Sequence, residues 1–131
     1  MFAEVWTWAG KYRNRELSIG VPSQLVSQEV KNLMEDSKYW LETHDTQLQD
    51  EALCRIHHRL VVIHPFLNGN GRLSRLFTDL LTQSTGQPRF SWGGGITAEN
   101  SGVRTSYISA LKAADKGNYN PLQEFVRRVE S

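Results

Sequence analysis

A single cysteine, Cys54, occurs in the whole chain, so no disulfide can close within it. Cys54 falls in an apolar-periodic stretch, which predicts a buried, reduced thiol and a cytoplasmic setting. Long apolar runs are also missing. The longest, Leu60 to Ile63, is far short of the roughly 20 residues a membrane-spanning helix needs. The N-terminus has no basic segment followed by an apolar stretch, so no signal peptide is readable. Neither sign of charge dominates: 15 basic residues face 14 acidic ones, for a net charge of +1. That balance gives no ground for a polyanion as main partner, although it leaves room for a local basic pocket. Internal repeats and low-complexity segments are absent. What is present is 131 residues with 39% apolar and 22% charged side chains. This suits one compact domain, expected to span 1–131.

Helical periodicity runs through most of the chain. Phe2, Val5, Trp6 and Ala9 recur at helical spacing until Gly10. Lys11 to Pro22 has no clean helical period, and Glu16 to Val21 alternates loosely, as a short strand or extended loop does. After Pro22, the residues Val26, Val30, Leu33, Met34, Trp40 and Leu41 form an apolar stripe. The strongest helix runs from Gln47 to Ile63, with Leu48, Ala52, Ile56, Leu60 and Ile63 on one side. Pro65 ends it, because the residue before a proline is pushed out of the helical region; that residue is His64. Phe66 to Gly71 reads as a tight turn. Leu73, Leu76, Phe77, Leu80 and Leu81 form the next helix, which Gly86 and Pro88 stop and which is expected to pack on Gln47–Ile63. Gly93 to Gly95 predict a flexible loop. Thr97 or Asn100 caps a helix carrying Val103, Tyr107, Ile108, Leu111 and Ala114, and Gly117 ends it. Asn120 as cap and Pro121 at the first helical position start the last helix.

The chemistry gathers in the segment from His64 to Arg75. His64 leaves one helix at its C-terminal end, and the next begins near Gly69 to Gly71. The free N–H groups and positive dipole end of that second helix face the turn, and glycines let an anion approach the backbone. Together they make a phosphate nest. Arg72 and Arg75 lie on one helical side, and two guanidinium forks beside such a nest suit a di- or triphosphate. A histidine at the rim can take up a proton near neutral pH. Taken singly, each piece also has an ordinary reading, as a turn, as surface arginines and as a helix-end histidine. His57 and His58 are adjacent and point in different directions, so at least one is structural or exposed. With Cys54 they make a poor zinc set.

In combination, His64-Pro65-Phe66, two further residues, Gly69-Asn70-Gly71-Arg72, two more and Arg75 resemble the motif of the Fic family. Trp8-Ala9-Gly10 with Arg13 resembles an upstream family signature. Tyr107, Leu111, Ala114 and Gly117, then Pro121, Leu122 and Phe125, resemble its later helices. Within the family the chain is most similar to a branch known as mobile mystery protein B, found on mobile elements. The resemblance implies an all-α Fic-type domain with a short β-hairpin or extended flap, here without the early N-terminal helices. It implies a protein nucleotidyltransferase that moves AMP from ATP, with Mg2+ or Mn2+, to a Ser, Thr or Tyr hydroxyl of a target protein. His64 would be the catalytic base. Gly69, Asn70 and Gly71 would hold the phosphates, and Arg72 and Arg75 would neutralise the outer ones. Pro65 and Phe66 would anchor the motif. Lys11, Arg13, Leu17 and Ile19 would belong to a flap that presents the target by backbone pairing.

Two departures from the family pattern bear on function. The position usually held by an acidic, metal-assisting residue is Asn68, a neutral and weaker ligand for a hard divalent ion. This leaves open a different nucleotide or phosphate-containing donor, or a catalytically weak Fic-fold binding module. The inhibitory pattern of Ser or Thr, three residues, Glu, then Gly or Asn, does not occur in the chain. Restraint is therefore expected from a separate, antitoxin-like protein. Nucleic acid is the least favoured partner, since no basic face is evident, and no membrane association is expected.

Overall fold

The structure, a computed structural model, describes residues 20–43, 45–64, 70–94 and 101–128. Five α-helices occupy them: α1 Val26–Trp40, α2 Thr46–Ile63, α3 Asn70–Ser84, α4 Ser101–Asp115 and α5 Asn120–Arg127. Short 3-10 turns stand at Ser23–Leu25 and Trp92–Gly94. No strand occurs among the described residues, in keeping with the all-α class. The expected flap with Lys11, Arg13, Leu17 and Ile19, and the expected helix around Phe2 to Ala9, lie outside the described residues.

The architecture is organised around α2, which packs against each of the other four helices. Its residues Leu53, Ile56, Leu60 and Ile63 are buried at helical spacing, together with Cys54 and His57. The helix starts one residue earlier than its apolar pattern predicts because Asp45 fixes the start. Its carboxylate accepts the N–H groups of Gln47 at 2.9 Å and Leu48 at 3.1 Å. Such a cap contributes on the order of 1 kcal/mol. The expected packing of α3 on α2 is present, with Leu73, Phe77 and Leu81 turned inward from α3. From α1, Val26, Val30 and Leu33 complete that side of the core. Ser37 is tolerated there because its hydroxyl donates to the Leu33 carbonyl at 2.6 Å.

The end of α4 follows its sequence signal. Gly117 takes φ 86°, and its N–H donates to Ala114 O at 2.9 Å while that of Asn118 donates to Ala113 O at 3.1 Å. This pair of bonds closes the helix C-terminus. The start of α5 differs by a residue from the expected one. Asn120 is already helical and caps nothing with its side chain; instead its N–H donates to Asn118 Oδ1 at 3.2 Å. The capping oxygen is thus two residues upstream, while Pro121 keeps its place in the first turn. At the other end of α5, Arg127 grips Asp50 of α2 with two bonds, of 2.9 and 2.8 Å. It also donates to Pro88 O at 2.6 Å and lies 4.5 Å over the Phe90 ring.

The glycines after Trp92 do not form the loose loop expected of them, as far as the described residues reach. Trp92 is buried, its indole N–H donates to Asp79 Oδ1 at 2.9 Å, and its ring lies 4.7 Å from that of His57. Gly93 takes φ 67°, and a Cβ built on it would stand 2.5 Å from Phe125 Cε1. Its lack of a side chain permits close packing rather than flexibility. Replacing Gly93 with alanine should therefore cost stability on two counts, a left-handed backbone and a clash with a buried ring. We expect a loss of about 2 kcal/mol or more, read from urea unfolding of the two proteins. Alanine at the solvent-open Gly86, which also has positive φ (80°) but no neighbour within 4 Å, should cost less.

Candidate active site

His64 stands where α2 stops. Its backbone is left-handed, φ 51° and ψ 61°, and its N–H still donates to Leu60 O at 3.1 Å. A left-handed histidine followed by proline turns the chain sharply out of the helix. The side chain is half-buried and borders an open cleft of about 410 Å3, shared with Val21, Val61, Val62, Ile108 and Leu111. His58 also lines this cleft, its Nε2 2.7 Å from Asp115 Oδ1. Both members of the His57–His58 pair are buried.

The second part of the site is the start of α3. Helix α2 ends at Ile63 and α3 begins at Asn70, so the two helices bracket the motif turn. Pro65, Phe66, Asn68 and Gly69 lie outside the described residues, whereas Asn70 and Gly71 form the opening of α3. The first N–H groups of a helix have no intrahelical acceptor and carry its positive dipole end. Arg72 is exposed and Arg75, one turn further along α3, is half-buried. The described part of the expected anion site is therefore a helix N-terminus with two arginines on its opening turns. Among the described residues no group of three or more His, Cys, Asp or Glu could hold a metal ion.

Behind Arg75 lies a buried polar cluster whose pairing the sequence does not announce. His57 is fully buried. Its Nε2 is 2.6 Å from the Tyr107 hydroxyl on α4, and its Nδ1 is 3.3 Å from Thr78 Oγ1 on α3. The Ser74 backbone and the Arg75 side chain act on the cluster electrostatically, the first favouring the protonated imidazole and the second the ionised phenol. Burial drives the His57 pKa down to about 3, offset in part by the Ser74 backbone, with Arg75 and His58 pushing further down. Burial likewise pushes the Tyr107 pKa up, against the pull of Arg75 and Arg104. Both groups are neutral at physiological pH. His57 had only a position inside a helix to mark it. Its partners come from other helices, so spacing along the chain does not reveal them.

A family model described as Fic/DOC matches residues 1–82, a span that includes the whole stretch from His64 to Arg75, and the chain belongs to that family. Among curated proteins it is 29% identical to protein adenylyltransferase fic-1 of Caenorhabditis briggsae over 92% of this chain. It is also 29% identical to protein adenylyltransferase Fic of Drosophila virilis over 89% of this chain. In both cases it spans only 23% of the longer relative. Of solved structures, Fic-1 of Caenorhabditis elegans aligns with a TM-score of 0.60 at 26% identity, over 89% of this chain and 32% of that one. BepC of Bartonella tribocorum aligns with a TM-score of 0.64 at 24% identity, over 88% of this chain and 53% of that one, a likeness of fold.

The buried His57 makes a pH prediction with a definite sign. Its pKa is lower folded than the usual 6.5 of an exposed imidazole, so the unfolded chain binds the extra proton first. Stability should be full above pH 6.5 and fall as pH drops from there toward 3, by up to about 1.4 kcal/mol per pH unit from this one group. Thermal melts of the parent and His57→Gln between pH 7.5 and 4.5 isolate the effect. The difference between the two proteins should narrow, or reverse, as the solution is acidified.

Proposed function

We propose that this chain carries the catalytic centre of a protein adenylyltransferase that moves AMP from ATP to a Ser, Thr or Tyr hydroxyl of a target protein. The observation that carries this reading is the placement of His64 at the left-handed end of α2, directly before a helix N-terminus that bears Arg72 and Arg75. The names of the relatives, protein adenylyltransferases, point the same way. In the reaction, His64 takes the proton of the attacking hydroxyl. The hydroxyl oxygen bonds to the α-phosphorus, the bond from that phosphorus to the bridging oxygen breaks, and pyrophosphate leaves. The N–H groups around Gly69, Asn70 and Gly71, with Arg72 and Arg75, hold the phosphates and absorb charge as it builds on the leaving group. Transfer at phosphorus depends on in-line placement and charge stabilisation more than on covalent chemistry by the protein. Lys11, Arg13, Leu17 and Ile19 are assigned to a flap that holds the target segment.

Mg2+ or Mn2+ would accompany the nucleotide. The described residues offer no carboxylate cage, so the phosphates and water would supply most ligands and Asn68 a single neutral oxygen at best. When bound, the ion screens phosphate charge. A second reading, transfer of another nucleotide or phosphate-containing group, is favoured specifically by Asn68. We further assign the chain to the mobile-element branch of the family, acting in the cytoplasm, with restraint from a separate antitoxin-like protein. A glutamate of such a partner set against Arg75 would occupy donors meant for the outermost phosphate and repel that phosphate.

The reading is tested by incubating the chain with host lysate and ATP labelled at either the α- or the γ-phosphorus. Protein bands should carry the α label only; bands carrying γ label, or none with ATP but label with another nucleotide, would replace AMP transfer by the second reading. His64→Ala should reduce transfer by about 10²-fold or more while leaving ATP binding nearly intact. A variant that transfers at the parental rate removes His64 from the role. Asn68→Asp should tighten magnesium in the nucleotide complex, measured by metal titration of both nucleotide-bound proteins. Equal or weaker affinity would show that residue 68 does not face the ion.

A further inference from the structure

Three buried polar side chains link three helices. The Tyr107 hydroxyl of α4 meets His57 Nε2 of α2 at 2.6 Å, and His57 Nδ1 meets Thr78 Oγ1 of α3 at 3.3 Å. The proton directions follow from Thr78. Its hydroxyl donates to Ser74 O at 2.8 Å, which uses its only proton, so its oxygen accepts from His57 Nδ1. Nε2 of the neutral ring is then an acceptor, and the Tyr107 hydroxyl donates to it. Next to Thr78 on α3, Asp79 accepts the indole N–H of Trp92 at 2.9 Å, and that indole lies 4.7 Å from the His57 ring. One turn of α3 is thus held at two consecutive residues by groups packed around His57.

The bridge stands behind both arms of the candidate site. His64 lies seven residues beyond His57, roughly 10 Å along the α2 axis at about 1.5 Å per residue. Helix α3 begins at Asn70, eight residues before Thr78 and roughly 12 Å along its own axis, with Arg72 and Arg75 between. The apolar contacts of Leu73, Phe77 and Leu81 are not directional and permit a slide of one helix on the other. Hydrogen bonds resist it, because they weaken steeply away from their preferred distance and angle. A slide of about 1 Å at the bridge would shift the base by as much against the start of α3, and a misplacement of that size can cost ~10²-fold in rate.

We propose that Tyr107, His57 and Thr78 are positioning residues for the transfer step: their bridge fixes the spacing between the base His64 and the phosphate-holding start of α3, and so sets the rate of transfer rather than the affinity for ATP. This rests on the proposed AMP transfer and on His64 as its base. It adds that the rate is controlled from the middle of α2, α3 and α4. ATP affinity is spared because the start of α3, with Arg72 and Arg75, belongs to one helix and moves as one body.

The test is the initial rate of AMP transfer from α-labelled ATP to host-lysate protein, with ATP varied, alongside calorimetric ATP binding, all on the full chain. Thr78→Val keeps the shape of the side chain but offers Nδ1 no acceptor, and Tyr107→Phe takes the donor from Nε2. Each should lower the maximal rate about tenfold and leave KM and Kd for ATP within about twofold of the parent. The double variant should be little slower than the worse single one, because either cut opens the bridge. Thr78→Ser keeps the hydroxyl and should restore most of the rate, although it loses a buried methyl group. Val30→Ala, in the core on α1, should lower the melting temperature yet keep the parental rate below it. The proposal is overturned if His64→Ala abolishes transfer but Thr78→Val and Tyr107→Phe transfer at the parental rate, a result that leaves the role of His64 standing. It is also overturned if ATP affinity falls in step with the rate, or if Thr78→Ser or Val30→Ala slows transfer as much as Thr78→Val, which marks general destabilisation. If the parental chain moves no AMP, or His64→Ala transfers at the parental rate, the underlying reading falls and this proposal with it.

Discussion

A neutral imidazole enclosed between three helices is the constraint on which much of this structure turns. His57 has no access to water, so each of its ring nitrogens needs a partner inside the protein. Those partners come from α3 on one side and α4 on the other. An unpaired buried polar group costs roughly 1–3 kcal/mol, so α3 and α4 are held in register with α2 by more than apolar contact. The apolar core could tolerate small slides of one helix on another. A hydrogen bond of 2.6 Å between His57 and Tyr107 could not.

The same constraint links packing to the candidate site. Helix α2 delivers His64 at its end and His57 at its middle, two turns apart on one rigid rod. Helix α3 delivers Thr78 to His57, and it carries Arg72 and Arg75 of the candidate site on the same few turns. One short set of helical turns thus serves both the interior and the described part of the candidate site. The strained backbone of His64 belongs to the same pattern: a left-handed histidine persists where the surrounding structure fixes it.

Much of this was legible in the sequence. The stripe of Ala52, Ile56, Leu60 and Ile63 announced α2, although Leu48, read into the same stripe, is exposed; Pro65 announced its end, and Gly117 announced the end of α4. The stretch from His64 to Arg75 carried the resemblance to the family, and the family model spans it. Other features needed side chains from distant positions. The start of α5 was misread by a residue because Asn118, not Asn120, supplies the oxygen. Gly93 to Gly95 read as a flexible loop because glycine signals conformational freedom and close approach in the same letter; Phe125 decides between them at Gly93. The His57 cluster was hidden for a related reason. A histidine next to another histidine inside a helix has no periodic signature, and Tyr107 is 50 residues away.

The family match stops at residue 82, within α3, but the physics of the chain does not pause there. A fragment cut at that point would keep every residue from His64 to Arg75 and lose Tyr107 and Trp92, which pack on His57. It would also lose Arg127, the clasp on Asp50. The imidazole would then meet water, titrate as an ordinary histidine and cease to tie helices together. The stretch by which the chain is recognised is thus shorter than the stretch that must fold as one, and the last two helices are the difference.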